Sequence, residues 1–385
     1  MATILLTGAR APATLELARH FATAGHRVLS ADSVAVNPCR RSRSVAKNFV
    51  LPAPVKDFEG FTTAIADICQ RESVAWVIPT CEEIFWVSRA KSRLERASQV
   101  LAPHLPVLTM LHSKWAFIEQ LRELQIRVPS TWLLRSPDDL EALRGAVNRP
   151  NRLVFKPVYS RFASRVLFWQ DGQAWPDLNL EAQIPWVAQA WVTGQGVCTY
   201  GVAHAGKLLA HAAYPVRFTA GVGACISFEA LPDERVLHWV EQVVAALCLT
   251  GQFAFDLIID ADGQIFPLEC NPRATSGVHL FDHDGALASA LMGEAKALVT
   301  PPEGAAAMLG LAMGVYGLPA ALKHGQMADW GALVLRARDA VWRRDDPWPM
   351  VDLALTFREF GSMAQQRKIT IAQAMTCDIE WNGSL

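Results

Sequence analysis

An α+β fold is what this sequence predicts, and three observations predict it. The first hundred residues alternate apolar runs with amphipathic stretches, the pattern of βαβ units on a parallel sheet. From Ser130 to Glu229 apolar runs of strand length recur, two of them joined by a tight hairpin turn at His204–Lys207. The segment Phe253–Phe281, FAFDLIIDADGQIFPLECNPRATSGVHLF, reads as a hairpin that carries acids among apolar residues.

The chain has 385 residues, enough for two or three domains, and its 51% apolar and 19% charged content is that of a globular protein. A net charge of −1 gives no electrostatic reason to expect nucleic acid or a membrane surface as a partner. Eight cysteines scatter without CxxC spacing, as reduced core residues do, and no apolar run reaches membrane-spanning length. The start lacks a basic region followed by an apolar one, so a cytoplasmic protein is expected.

In chain order, Ala2–Thr7 is a strand, Gly8–Pro12 a turn, Thr14–Ala24 an amphipathic helix and His26–Ala31 a second strand ending at Asp32. This is a βαβ unit of Rossmann type. Only Gly8 of a Gly-x-Gly-x-x-Gly fingerprint is present, which argues against a nicotinamide enzyme. The helix Phe58–Glu72 and strand Val74–Pro79 continue the alternation. Glu82 and Glu83 follow at the carboxyl end of that strand, where open α/β sheets bind ligands. They are candidates for a cationic substrate group, or are solvated acids opening the next helix. The basic run Arg40, Arg41, Arg43 and Lys47 is expected to be a solvated surface.

Ser113 and Lys114 open a helix that leads into the strand Ser130–Arg135. Leu153–Pro157 is a strand with one lysine, Lys156, in an apolar context, and a buried lysine needs an anion. Ile184–Val192, Val197–Ala205, Lys207–Tyr214 and Cys225–Glu229 are further strands, with a tight turn at His204–Lys207. The loop Pro215–Gly223 carries Arg217, a candidate for a substrate carboxylate or acyl-phosphate, with a plain surface arginine as the alternative. Asp233–Leu247 is an amphipathic helix.

In the hairpin, Asp260–Gly263 is the turn, Asp256 lies on the first strand, and Glu269 and Asn271 share a face of the second. Two carboxylates and an amide on one face form an oxygen cage of the kind that suits Mg²⁺ or Mn²⁺, unless the face is simply solvated. Pro272 ends the ladder and Arg273 brings a guanidinium to the same end. His279 and His283 are expected to line a substrate pocket rather than hold metal. Beyond Pro301 the chain is mostly helical.

The run from Asp256 to Arg273 resembles the closing motif of the ATP-grasp superfamily, and the likeness covers roughly residues 1–300. The resemblance implies two α+β lobes enclosing ATP, preceded by a Rossmann-like domain. Residues 1–112 would form that domain, 113–185 the first lobe, 186–300 the second lobe with the magnesium site, and 301–385 a helical extension. It implies that Asp256, Glu269 and Asn271 hold magnesium, that Arg273 touches phosphate or substrate, and that Lys114 and Lys156 reach the nucleotide phosphates. Gln189, Ala190, Trp191 and Val192 fall in the stretch that meets adenine. Where many members carry a glycine-rich phosphate loop, this chain has Ser160, Arg161 and Arg165, and where they carry a ribose-binding glutamate it has Gly196. The implied activity is an ADP-forming ligase that activates a carboxylate as an acyl-phosphate and joins it to an amine. A carboxylate kinase, a hydroxyl or carrier-bound nucleophile, and a non-catalytic nucleotide-binding module stay open, as does a homodimer.

Overall fold

The computed structural model describes residues 1–146, 149–160, 165–180, 184–221 and 223–383. Five parallel strands form the amino-terminal sheet: β1 (Thr3–Thr7), β2 (Arg27–Asp32), β3 (Lys47–Val50), β4 (Trp76–Ile78) and β5 (Gln99–Val100), in the order β3-β2-β1-β4-β5. The helix Pro12–Thr23 starts on a proline, whose fixed φ suits a first turn and whose missing N–H costs nothing there. The helix Phe58–Arg71 is capped by the Asp57 carboxylate, which accepts from Gly60 N.

Two antiparallel sheets follow. The first lobe contains β6 (Thr131–Leu134), β7 (Arg152–Pro157), β8 (Leu167–Gln170) and β9 (Trp186–Ala190), ordered β6-β9-β7-β8. Along β7, Leu153 and Phe155 enter the lobe core, so the two-residue period turns Val154 and Lys156 to the opposite face. The second lobe contains β10 (Gln195–His204), β11 (Lys207–Pro215), β15 (Gly251–Ile259) and β16 (Ile265–Asn271), ordered β11-β10-β15-β16. The turn between β10 and β11 places Ala205 and Gly206 at φ 47° and 77°, the pair of positive angles that the twist of a two-residue hairpin demands. Phe253, Phe255, Leu257 and Ile259 pack under the helix Glu234–Ala246, which leaves Asp256 and Ile258 on the other face of β15.

The remaining strands are short. β12 (Thr219–Ala220) pairs with β13 (Ala224–Cys225), and β14 (Ser227–Glu229), β17 (Ala306–Met308) and β18 (Arg338–Asp339) form a three-stranded sheet. The segment after Pro301 is therefore helical with two strands woven in. Its end returns to the amino-terminal domain, where Trp381 is 3% exposed against Phe85 and Trp86, and Arg10 grips Asp32 and Asp378 at 2.5 and 2.7 Å. Of the basic run, Arg43 and Lys47 are exposed as expected, but Arg40 and Arg41 are not simply solvated. Arg40 and Arg41 both reach the fully buried Asp352 at 2.8 Å, because a carboxylate removed from water needs cationic partners.

Burial also fixes two neutral histidines. It lowers the His20 pKa to about 3 and that of His211 to about 4. A histidine held neutral in the fold takes a proton in the unfolded chain below about pH 6.5. Stability should fall between pH 6.5 and 5 by about 1.4 kcal/mol per pH unit for each such residue. Urea midpoints at pH 7, 6 and 5 check this, and His20→Gln should remove one proton's worth of the slope. An unchanged midpoint across that range would refute it.

Candidate active site

The two lobes face each other across a cleft of about 510 Å³. Lys156, Ser160, Gln189 and Trp191 line it from the first lobe, and Lys114, Asp256, Glu269, Asn271 and Arg273 from the second-lobe side.

A β-bulge makes the acidic side possible. Ile259 pairs with Ile265 and Leu257 with Pro267, but Asp256 pairs with Glu269, so Leu268 is the extra residue. Without that insertion Glu269 and Asn271 would face the second lobe's core. With it, Asp256 and Glu269 stand opposite each other, and Asn271 Nδ2 donates to Asp256 Oδ2 at 3.4 Å.

The bases come from two places: Lys156 stands on the first-lobe sheet, and Lys114 opens a helix whose Phe117, Ile118 and Leu121 pack into the second lobe's core. Ser113 caps the helix Lys114–Glu123 through Ala116 N and sets Lys114 at its first position. Lys114 Nζ lies 3.2 Å from Glu269 Oε2 and donates to the Ser160 carbonyl at 3.0 Å. Lys156 Nζ donates to Gln189 Oε1 at 2.9 Å, and Gln189 Nε2 donates to Thr131 Oγ1 at 3.2 Å. Burial lowers the Lys156 pKa to about 8 although Glu269 opposes the shift. Burial, then the charge of Glu269, raises the Asp256 pKa to about 7. Burial acts on Glu269 too, but Lys114 and Lys156 outweigh it and hold that carboxyl down at about 2. The cleft thus keeps one firm carboxylate, one acid poised near neutrality and two lysines within a small volume. That is an imbalance a polyanion with its cation can resolve.

Arg273 donates to Glu82 Oε1 at 2.9 Å, and Glu82 is 3% exposed. The cationic partner expected for Glu82 is thus the protein's own arginine. Glu83 is corrected more fully. It is buried and accepts from Thr7 Oγ1, Thr80 N and Cys81 N, which ties strand ends together rather than meeting a substrate. Arg217 is not among the residues that line the cleft; it is more than half exposed and paired with Glu229 at 3.1 Å. His279 does not line the cleft either. The 3-10 turn Ser276–Leu280 tucks it inward, 1% exposed, with Nδ1 3.4 Å from Glu16 Oε2. Arg161 lies outside the described residues.

Glu16, His20 and His283 form the one His/Glu group among the described residues compact enough for a metal ion. Arg338 and Arg343 already stand 2.6 and 3.8 Å from Glu16 Oε1, so guanidiniums occupy the place a cation would take.

In the linker, Ala190 N and Trp191 N donate to the Ser130 and Arg152 carbonyls. Gly194 is required by contact, since a Cβ there would lie 2.1 Å from the Ile259 carbonyl oxygen. Val154, Val166 and Phe168 face Ile258 and Leu268 across the linker end of the cleft. Cys198, Tyr214, Thr275 and Ser276 also line it, and sequence reasoning passed over them. Thr275 and Ser276 were within reach, being hydroxyls two and three residues past Arg273.

A family model described as an ATP-grasp domain matches residues 111–277, a span that contains both lysines, the three oxygen donors and Arg273. Residues 111–277 form an ATP-grasp domain. The ATP-grasp fold extends beyond that span in three solved structures. N5-carboxyaminoimidazole synthetase from Staphylococcus aureus complexed with ADP is 14% identical, with 81% of this chain and 84% of that chain covered and a TM-score of 0.63. Biotin carboxylase from Campylobacter jejuni is 12% identical, with coverages of 77% and 72% and a TM-score of 0.61. L-amino acid ligase from Bacillus licheniformis is 16% identical, with coverages of 79% and 75% and a TM-score of 0.55. At such identities the likeness is one of fold. No curated protein matches the sequence. Within the matched span, Asp256 and Lys156 line one and the same cleft. No helix among the described residues is long and apolar enough to cross a membrane.

Proposed function

We propose that the protein is an ATP-dependent, ADP-forming ligase that activates a small carboxylate as an acyl-phosphate and joins it to an amine. The observation that carries this reading is the convergence of Lys114, Lys156, Asp256, Glu269, Asn271 and Arg273 on one cleft between two lobes. The three relatives of the fold bear names of ligases or carboxylases, which supports the reading. The cytoplasm is the compartment proposed, consistent with eight free thiols.

The donor set fits a hard divalent cation. Asp256, Glu269 and Asn271 offer oxygen only, and Asp256 near pH 7 is a carboxyl awaiting a counter-charge. Bound there, Mg²⁺ or Mn²⁺ would supply neutralisation of the phosphate oxygens. The chain's own residues do the rest. Lys114 and Lys156 give their bonds with Ser160, Glu269 and Gln189 over to phosphate oxygens, and these short charge-assisted bonds orient the terminal phosphoryl group. Arg273, held by Glu82, presents a guanidinium to the carboxylate that attacks that group. The two apolar walls take the adenine, and linker carbonyls together with Val192 meet its edge. As charge spreads over the phosphoryl oxygens, fixed cations lower the barrier without reorganising.

Ribose recognition is unusual in this reading. Asp256 and Glu269 are the carboxylates lining the cleft among the described residues, and both sit at its phosphate end. Position 196, where an acid would reach the ribose in the reading above, is a glycine, with the Val216 side chain close over it. A lost hydrogen bond to a charged group costs about 1.5–3 kcal/mol, so its absence should leave kcat/KM for 2′-deoxy-ATP within about tenfold of that for ATP. A larger preference for ATP would reveal an acid at the ribose.

The proposal is tested by screening small carboxylates with amine acceptors for ATP-dependent phosphate release, with the nucleotide product identified. ADP formed only when both are present supports ligation. ADP formed with the carboxylate alone supports a kinase, and AMP would overturn the acyl-phosphate route.

A further inference from the structure

In the second-lobe sheet β11 is an edge strand, and two segments clasp its open side. Val299 N donates to the Leu209 carbonyl and the Val299 carbonyl accepts from His211 N, both at 2.9 Å, while Leu231 N donates to the Ala213 carbonyl at 2.8 Å. Next to the first clasp come Pro301 and Pro302, which have no N–H to offer an edge, so the chain stands off and a pocket of about 380 Å³ opens between the clasps. That volume lies within the roughly 300–1,000 Å³ of ligand sites. Ala213, Leu231, Leu237 and the two prolines give it an apolar wall. His211 lines it as well, 6% exposed, and its Nδ1 has no hydrogen-bond partner. An imidazole nitrogen buried unpaired is costly, and the fold does not use it. The pocket shares no lining residue with the cleft between the lobes.

The charges around the pocket select its ligand. Glu234 and Glu303 stand exposed on its lining without an ion-pair partner among the described residues, and no lysine or arginine lines it. Glu234 opens a helix and suits its dipole, but Glu303 serves no helix. Asp233 is already spent. Its carboxylate accepts from Arg235 N and Val236 N and pairs with the Arg235 guanidinium at 2.6 Å, so this helix end offers no seat to an anion. Burial keeps His211 neutral, its pKa lowered to about 4, so the ring brings no positive charge and can accept a hydrogen bond. We propose that this pocket binds a small organic amine. Its ammonium group lies at Glu234 and Glu303, its apolar body lies against Leu231, Leu237 and Pro301, and a hydroxyl or amide N–H at its far end donates to the His211 ring.

Tyramine, phenylethylamine and hydroxyphenylpropionate share a ring and differ in their end groups, and each can be titrated into the full chain by calorimetry. Tyramine should bind with a dissociation constant of about 1 mM or lower. Phenylethylamine lacks the hydroxyl and should bind about threefold to tenfold more weakly. The propionate brings a carboxylate to Glu234 and Glu303 and should not bind. Glu234→Gln and Glu303→Gln, both at exposed positions that the fold tolerates, should each weaken tyramine by about twofold to fivefold. His211→Phe should bind tyramine no more tightly than phenylethylamine. If that variant misfolds, the nitrogen NMR signals of the His211 ring in the native protein decide, because they should shift as tyramine saturates. Tyramine that fails to bind would leave a cavity holding water only and overturn the proposal. Binding of the propionate as tightly as tyramine, tyramine affinity unchanged in both glutamate variants, or unmoved His211 signals at saturation would overturn it equally.

Discussion

Replacing Glu269 with Gln is expected to slow ADP formation by about 10²- to 10⁴-fold, the scale of removing one charged group from a phosphoryl-transfer site. The shape stays and one charge goes. Sequence reasoning suggests that two facing carboxylates repel until a cation separates them, so that the variant's stability without metal would be equal or higher. The structure changes that expectation. Lys114 already stands 3.2 Å from Glu269, and Asp256, raised to about 7, escapes repulsion by keeping its proton. Removing the Glu269 charge therefore leaves a buried lysine with only neutral acceptors, the new amide oxygen and the Ser160 carbonyl. The melting temperature without metal should stay level or drop by a few degrees, while added magnesium should recover part of the lost rate. An undiminished rate at limiting magnesium would show that Glu269 holds no catalytic cation.

Lys156→Ala should weaken ATP binding at least tenfold in calorimetry, with circular dichroism unchanged. Truncating one partner of a buried charged pair costs about 2 to 5 kcal/mol. Lys156 also predicts a pH dependence. Its pKa is lowered to about 8, and the protonated form is the one that holds phosphate, so apparent affinity should fall as pH rises through 8. The alanine variant should lose that dependence. Equal affinity in the two proteins would remove Lys156 from the phosphate site.

How much of this was legible depends on how local each signal is. Asp256, Glu269, Asn271 and Arg273 sit within eighteen residues and carry a motif, so their meeting could be read directly. Lys156 announced itself as a lone charge in an apolar strand. The bulge at Leu268 left no mark, because nothing in its composition says that one residue is skipped in the register. Gln189 fell in the expected stretch, yet its side chain rather than its backbone meets Lys156, a cross-strand contact that sequence spacing does not encode. His279 and Arg217 failed for the opposite reason. Each had suitable chemistry, and its partner, Glu16 or Glu229, lies on an element that only the tertiary fold brings near.

The return of the chain's end to its beginning has a consequence for how the protein is made. Domains usually complete themselves as they leave the ribosome, the amino-terminal one first. Here the first domain emerges without Trp381 against Phe85 and without the Asp378 carboxylate that Arg10 grips beside Asp32. Its core stays unfinished until Asp378 and Trp381 are translated. A nascent chain stalled before that point should present Phe85 and Trp86 to chaperones, and Trp381→Ala should lower the yield of folded protein by the same route.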